Sequence, residues 1–95
     1  MLRMDELKKF INGLATDAER DQFADLCGTT MGHIRNVSNG WRKAAPALCA
    51  AVERATGGVV PCESLRPDLA WVRRPDRSWP GKRGRPMHDV SREAA

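Results

Sequence analysis

Arg35 and Asn36 are neighbours whose polar groups match the two purine edges of a DNA duplex. An arginine fork donates to guanine O6 and N7 together, and an asparagine amide pairs with adenine N6 and N7. Close by stand Met31, which can lie against a thymine methyl, Gly32, which lets a backbone approach closely, and His33 at the edge of the same face. Thr29, Thr30, Asn39, Trp41, Arg42 and Lys43 flank this set with hydroxyl, amide, indole and cationic donors suited to phosphate oxygens. Phosphate contacts fix register and affinity, whereas base-edge contacts carry sequence preference. Trp41 either caps the core or packs its ring near sugar and phosphate, and the sequence leaves both open.

These side chains serve one groove only if a short helix presents them together, and the stretch FADLCGTTMGHIRNVSNG at 23–40 is patterned for that. Ala24 is small where one helix must lie close to the next. Gly28 can take the positive φ that ends a helix and swings the chain into a turn. Thr30 is placed to cap a helix over Met31–Ser38, its hydroxyl accepting a free backbone N–H. Ile34 and Val37, three residues apart, fasten that helix inward, and Asn39-Gly40 stop it. Two short helices joined by a tight turn, the second carrying polar and basic side chains, have the layout of a helix-turn-helix.

The rest of the chain reads as the scaffold. A first helix runs from Asp5 to about Asn12, with Leu7, Phe10, Ile11 and Leu14 as its apolar stripe and Gly13 as its stop. Thr16 followed by Glu19 fits a capping box that opens a second helix ending near Cys27. Pro46 is tolerated in the first turn of a fourth helix, whose inner face is Leu48, Ala51, Val52 and Ala55 and whose end is Gly57-Gly58. Val59-Val60-Pro61 is an extended connector, 61–65 a short fifth helix, and Arg66-Pro67 its halt. Residues 1–71 therefore read as one DNA-binding domain. In 72–95, Pro75, Pro80, Pro86, Gly81 and Gly84 fall among charges with little to bury, and the segment reads as a disordered basic tail.

Charge supports this division. The net charge is +4 over 95 residues, and all of that excess falls in 72–95, which hold seven Arg/Lys and three acids. In the remainder no acid lies between Asp25 and Glu53, while Arg35, Arg42, Lys43 and Arg54 fall in or just past that interval. A face cleared of carboxylates suits a polyanion. The tail also contains Lys82-Arg83-Gly84-Arg85-Pro86, similar to the core of an AT-hook, in which Arg-Gly-Arg enters a narrow A·T minor groove. Minor-groove insertion, simple electrostatic tethering and no DNA role are the three readings of Lys82, Arg83 and Arg85.

Several classes are set aside. Cys27, Cys49 and Cys62 are an odd count without a Cys-x-x-Cys pair, and with His33 and His88 they complete no metal set. Buried reduced thiols are the expectation, with no metal and no cofactor. No Cys–His pair with an orienting group, phosphate-cradling glycine loop or carboxylate dyad points to an enzyme. There is no apolar run of roughly 18 residues to cross a membrane. The start MLRMDELKKF is charged and amphipathic, unlike a signal peptide, so the expected place is the cytoplasm, at the nucleoid.

The chain resembles the YdaS-like members of the Cro and CI phage-repressor superfamily. F-A-x-x-C-G-T-T-x-x-x-I-x-x-V-S-N-G at 23–40, P-A-L-C-A-A-V-E-R-A-T-G-G at 46–58 and L-R-P-D-L-A-W at 65–71 carry the resemblance, which spans about residues 5 to 71. Thr29 departs from it, standing where many relatives have an apolar residue. The resemblance implies an all-α, λ-repressor-like bundle of about five short helices, and base-reading positions that map onto Met31, Gly32, Arg35 and Asn36. It also implies a prophage-type transcriptional regulator. A homodimer on a palindromic operator is expected, since one short helix reads too few base pairs alone. Val59, Val60, Leu65, Leu69 and Trp71 are the expected dimer surface, being more apolar surface than a five-helix core needs. The competing reading is an antitoxin that neutralises a partner toxin, with Trp71, Val72 and Trp79 as anchors and DNA binding as autoregulation.

Overall fold

Leu7 and Ile11, one turn apart on the first helix, are 1% and 3% exposed, and they set the direction in which the small core is built. The computed structural model describes residues 5–81 and 83–88. Within them the order is α1 (Asp5–Asn12), α2 (Asp17–Leu26), α3 (Met31–Ser38), α4 (Pro46–Ala55), α5 (Cys62–Leu65), β1 (Trp71–Arg74) and β2 (Arg85–His88). Phe23, Ala24 and Cys27 of the α2 region, Ile34 and Val37 of α3, Cys49 and Val52 of α4, and Cys62 and Leu65 of α5 join Leu7 and Ile11 in one buried cluster. Phe10 leans on Phe23 with ring centroids 5.0 Å apart.

Local signals account for the helices. The Thr16 hydroxyl accepts the Glu19 N–H at 3.1 Å, and the Glu19 carboxylate reaches back to the Ala15 N–H at 2.8 Å, closing the box one residue before the cap. Arg20 ties this turn to α1 by donating to the carbonyls of Ile11 and Leu14 at 3.3 and 2.8 Å. Pro46 opens α4, where no backbone N–H is needed. Glycine is required at 28: its φ is 73°, and the Thr29 and Gly28 N–H groups return to the carbonyls of Ala24 and Asp25 at 3.0 Å each.

The fold is not purely helical: in and just before the stretch whose composition suggests disorder, Trp71–Arg74 and Arg85–His88 form a two-stranded sheet. β1 and β2 pair antiparallel, Trp71 with His88, Val72 with Met87, Arg73 with Pro86 and Arg74 with Arg85. Trp71, Arg73, Pro86 and His88 share one face; Val72, Arg74, Arg85 and Met87 share the other. The inward face is pinned by Arg73, which grips Glu53 of α4 with two hydrogen bonds of 2.6 Å and also donates to both oxygens of Glu63 and to the Gly84 carbonyl. The Trp79 indole N–H adds a 2.7 Å bond to the same Glu53, which is 2% exposed. Burial alone would raise the Glu53 pKa, but the bonds from Arg73, the Cys62 N–H and Trp79 hold it below the ordinary glutamate value.

The composition argument fails here for a specific reason. The tail has few apolar groups to bury, yet α4 offers it one buried carboxylate, and a carboxylate in that position needs a partner. Gly84 belongs to the same arrangement: a Cβ there would sit 2.2 Å from the Arg74 carbonyl oxygen, so only glycine lets β2 enter the turn. Residues 1–4, Lys82 and 89–95 lie outside the described residues, and with them the start of the chain and the end of the expected tail.

Candidate nucleic-acid interface

The Thr30 hydroxyl accepts the His33 N–H at 3.2 Å and starts α3 where the turn after Gly28 delivers it. Ile34, Val37 and Ser38, at 1%, 2% and 6% exposure, turn inward, and the Ser38 hydroxyl is satisfied by the Arg35 carbonyl at 2.8 Å. At 3.6 residues per turn this leaves Gly32 near the middle of the outward face, with Arg35 and Asn36 on either side. Gly32 and Arg35 are exposed and Asn36 is half-buried. Met31 and His33 are both half-buried, Met31 packed against the core, so these two sit at the flanks of the face.

Nothing inside the molecule asks for glycine at 32. A Cβ there would meet only the Thr30 hydroxyl oxygen, at 3.8 Å, and glycine in a helix costs roughly 1 kcal/mol relative to alanine.

The loop after α3 folds back on it. The Trp41 and Arg42 N–H groups donate to the Asn36 carbonyl at 2.9 and 3.3 Å, which leaves Asn39, Trp41, Arg42 and Lys43 exposed beside the end of the helix. Trp41 is 73% exposed, so it does not cap the core. Thr30 is exposed and Thr29 half-buried. The loop ends at Ala44, buried and held by an arginine that sequence reasoning missed: Arg66 donates to the Ala44 carbonyl at 2.8 Å and grips Asp68 with two bonds of 2.9 Å. That grip holds the Asp68 carboxyl down at a pKa of about 2, and the Lys43 ammonium lies 4.0 Å away. Trp71 completes the brace, its indole N–H donating to the Arg66 carbonyl at 2.9 Å. The L-R-P-D-L-A-W segment thus positions the loop that carries the cations. The signal available was Arg66 two residues before Asp68, a spacing that lets one carboxylate fix a guanidinium's direction.

Lys8 is the second residue missed. It lines a shallow concavity of about 260 Å³ between α1 and α3, together with Asn12, Arg35, Ser38 and Asn39. The α1–α3 seam therefore gathers two cations and two amides on the rim that Arg35 occupies.

The remaining expected site residues are distributed differently. Val60 and Leu65 are 0% and 1% exposed, so neither can form a dimer surface: α5 packs on α4 and draws both into the protomer's own core. Trp71 packs against that core, Leu69 is half-buried, and Val59 stands out at 62% exposure. Val72 is half-buried on the hairpin's outward face, while Trp79 is tied to Glu53. Arg83 is exposed with a nitrogen 3.8 Å from Glu63, and Arg85 is exposed on β2. Cys27 and Cys49 are buried thiols pushed up to about 11 by desolvation, and burial raises Cys62 further. Among the described residues no three His, Cys, Asp or Glu side chains are grouped to hold a metal, and no helix is long and apolar enough to cross a membrane.

The five helices and two-stranded sheet of the described residues, with the α2–α3 pair and its Gly28 turn presenting Arg35, are compatible with a small helical domain of helix-turn-helix layout. A prophage transcriptional regulatory protein of Escherichia coli K12 is 35% identical over 54 residues, covering 57% of this chain and 82% of the relative. A protein of the same strain named as the transcriptional regulator YdaS is 36% identical over 62 residues, 65% of this chain and 63% of its own length. The chain belongs to the YdaS-like family of prophage transcriptional regulators. No family model and no solved structure matches it.

Proposed function

We propose that the chain is a sequence-specific transcriptional repressor of Cro/CI type, laying α3 in the major groove of a palindromic operator as a homodimer. The observation that carries this reading is the division of α3. Ile34 and Val37 are at most 2% exposed, while Arg35 and Gly32 face solvent with Asn36 beside them. Arg35 reads guanine and Asn36 adenine, and Gly32 lets the backbone between them approach the base edges. Met31 and His33 touch the margins of the site. Thr29, Thr30, Asn39, Trp41, Arg42 and Lys43 hold phosphates on either side, with Lys8 a further phosphate ligand from α1.

Dimerisation follows from arithmetic: an eight-residue helix spans few base pairs, and two copies about one DNA turn apart give useful selectivity. Of the residues expected at the dimer surface, Val59 is the one that stands well exposed, and this dimer would use it. The two classes of contact separate in one experiment. Arg35→Ala should cost about 1–3 kcal/mol and relax preference at a single base position. Lys43→Ala should weaken all sequences alike and flatten the dependence of log K on log salt by about 0.9. Equal loss on every sequence from Arg35→Ala would refute base reading by that residue.

A further inference from the structure

Arg74 and Arg85 face each other directly across the hairpin, and both are exposed. Like charges in opposed cross-strand positions repel, and a fold gains nothing by keeping them there. Arg85 also lines a cleft of about 590 Å³, together with Ala50, Ala51, Arg54 and Ala55 of α4, Leu26 of α2 and Trp79. Arg85 thus shares this cleft with Arg54 of α4 and a cross-strand position with Arg74 of β1. Among the described residues, none of the three lies within ion-pair distance of a carboxylate, although Arg85 helps lower the pKa of Asp76, whose main partners are the Ser78 hydroxyl and N–H.

The ribbon that carries them is rigidly held. Arg73, alternating inward between Val72 and Arg74, is locked to Glu53 and Glu63, and Gly84 seats β2 against the Arg74 carbonyl. The backbones of Arg74 and Arg85 are therefore held opposite each other across the ladder. A single carboxylate would answer one of these arginines. A polymer of regularly spaced negative charges answers all three together and relieves the repulsion between Arg74 and Arg85.

We propose that Arg54, Arg74 and Arg85 form a second DNA-backbone site, separate from α3, in which the hairpin grips phosphates without reading bases. The identity of the polyanion rests on the DNA reading of α3; the placement of the charges does not. The Arg-Gly-Arg-Pro sequence at 83–86 then has a different logic from an extended hook. Its glycine serves the hairpin crossing, and Arg85 works with residues 11 and 31 positions earlier in the chain, Arg74 and Arg54.

The test uses the full chain and a duplex of random sequence about four helical turns long. Binding is followed by fluorescence anisotropy over a salt series for the unaltered chain, for Arg74→Gln/Arg85→Gln and for Arg54→Gln. The double variant should flatten the log K against log salt slope by about 1.8, and Arg54→Gln by about 0.9. The melting temperature of the double variant should be unchanged or raised, because repulsion is removed while Arg73 stays. Unaltered slopes in well-folded variants would overturn the proposal. A parallel arm with Arg35→Ala keeps the two readings apart. Salt-dependent binding with no sequence selectivity in the unaltered chain sinks the α3 reading and leaves the hairpin site standing. Selective binding that ignores the hairpin variants does the reverse.

Discussion

The α2–α3 unit is held by bonds that each span three to five residues, such as Thr30 to His33 and Thr29 to Ala24. The hairpin at 71–88 is held by bonds that span ten, twenty and twenty-six, from Arg73 to Glu63 and Glu53 and from Trp79 to Glu53. One region is therefore specified locally and buries aliphatic side chains. The other is specified by a single buried carboxylate and the cation that must answer it. The first should yield gradually to small changes spread along it, and the second should yield all at once to one.

The largest expected effect comes from Arg73→Leu. Glu53 would remain buried on α4 without its main partner, at a cost of about 3 kcal/mol. The hairpin should undock while α1–α4 keep their helicity, so the Trp79 indole N–H and backbone amide should exchange rapidly with solvent and far-UV circular dichroism should change little. Loss of helicity in step with the hairpin would mean that the two regions are one cooperative unit.

The same network predicts an acid transition. Glu53 and Glu63 both have pKa values lowered from 4.5 in the folded chain, against the burial that would raise them, chiefly by hydrogen bonds from Arg73. Groups shifted downward stabilise the fold at pH values above the unfolded pKa, and that contribution disappears as pH falls through the lower folded value. The hairpin should therefore loosen below pH 4.5, ahead of the helices, with tryptophan emission as the readout. A hairpin that outlasts the helices in acid would contradict this assignment.

Within the helix-turn-helix the steps are smaller. Gly28→Ala places a side chain at φ 73°, with open space around it, so the loss should be the backbone strain alone, about 1–2 kcal/mol. Thr30→Ala removes the cap of α3 and should cost about 1 kcal/mol. Both are read as shifts in the midpoint of chemical denaturation, and both should leave Trp79 tied to Glu53.

This contrast also explains what the sequence makes legible. Capping threonines, helix-ending glycines and apolar spacing are local signals, and they place α1 to α5 and the outward position of Arg35. Arg73 has no such signature, because in the sequence it is one base among seven in a charged, proline-containing stretch. Its partner Glu53 stands next to the apolar positions of α4 with no local mark of burial. Val60 and Leu65 read as surplus apolar surface for the same reason: α5 folds onto α4 and buries them, and no local pattern announces that contact. Arg66 and Lys8 become functional candidates only once Ala44 and Arg35 are seen beside them.

Selection of bound sequences from a random duplex pool tests the central claim, that α3 presents Arg35 and Asn36 to base edges. The unaltered chain should enrich a palindrome whose half-sites are centred about one helical turn apart, and Arg35→Ala/Asn36→Ala should lose that enrichment while remaining folded. No enriched sequence from the unaltered chain, or the same enriched sequence from the double variant, would contradict it.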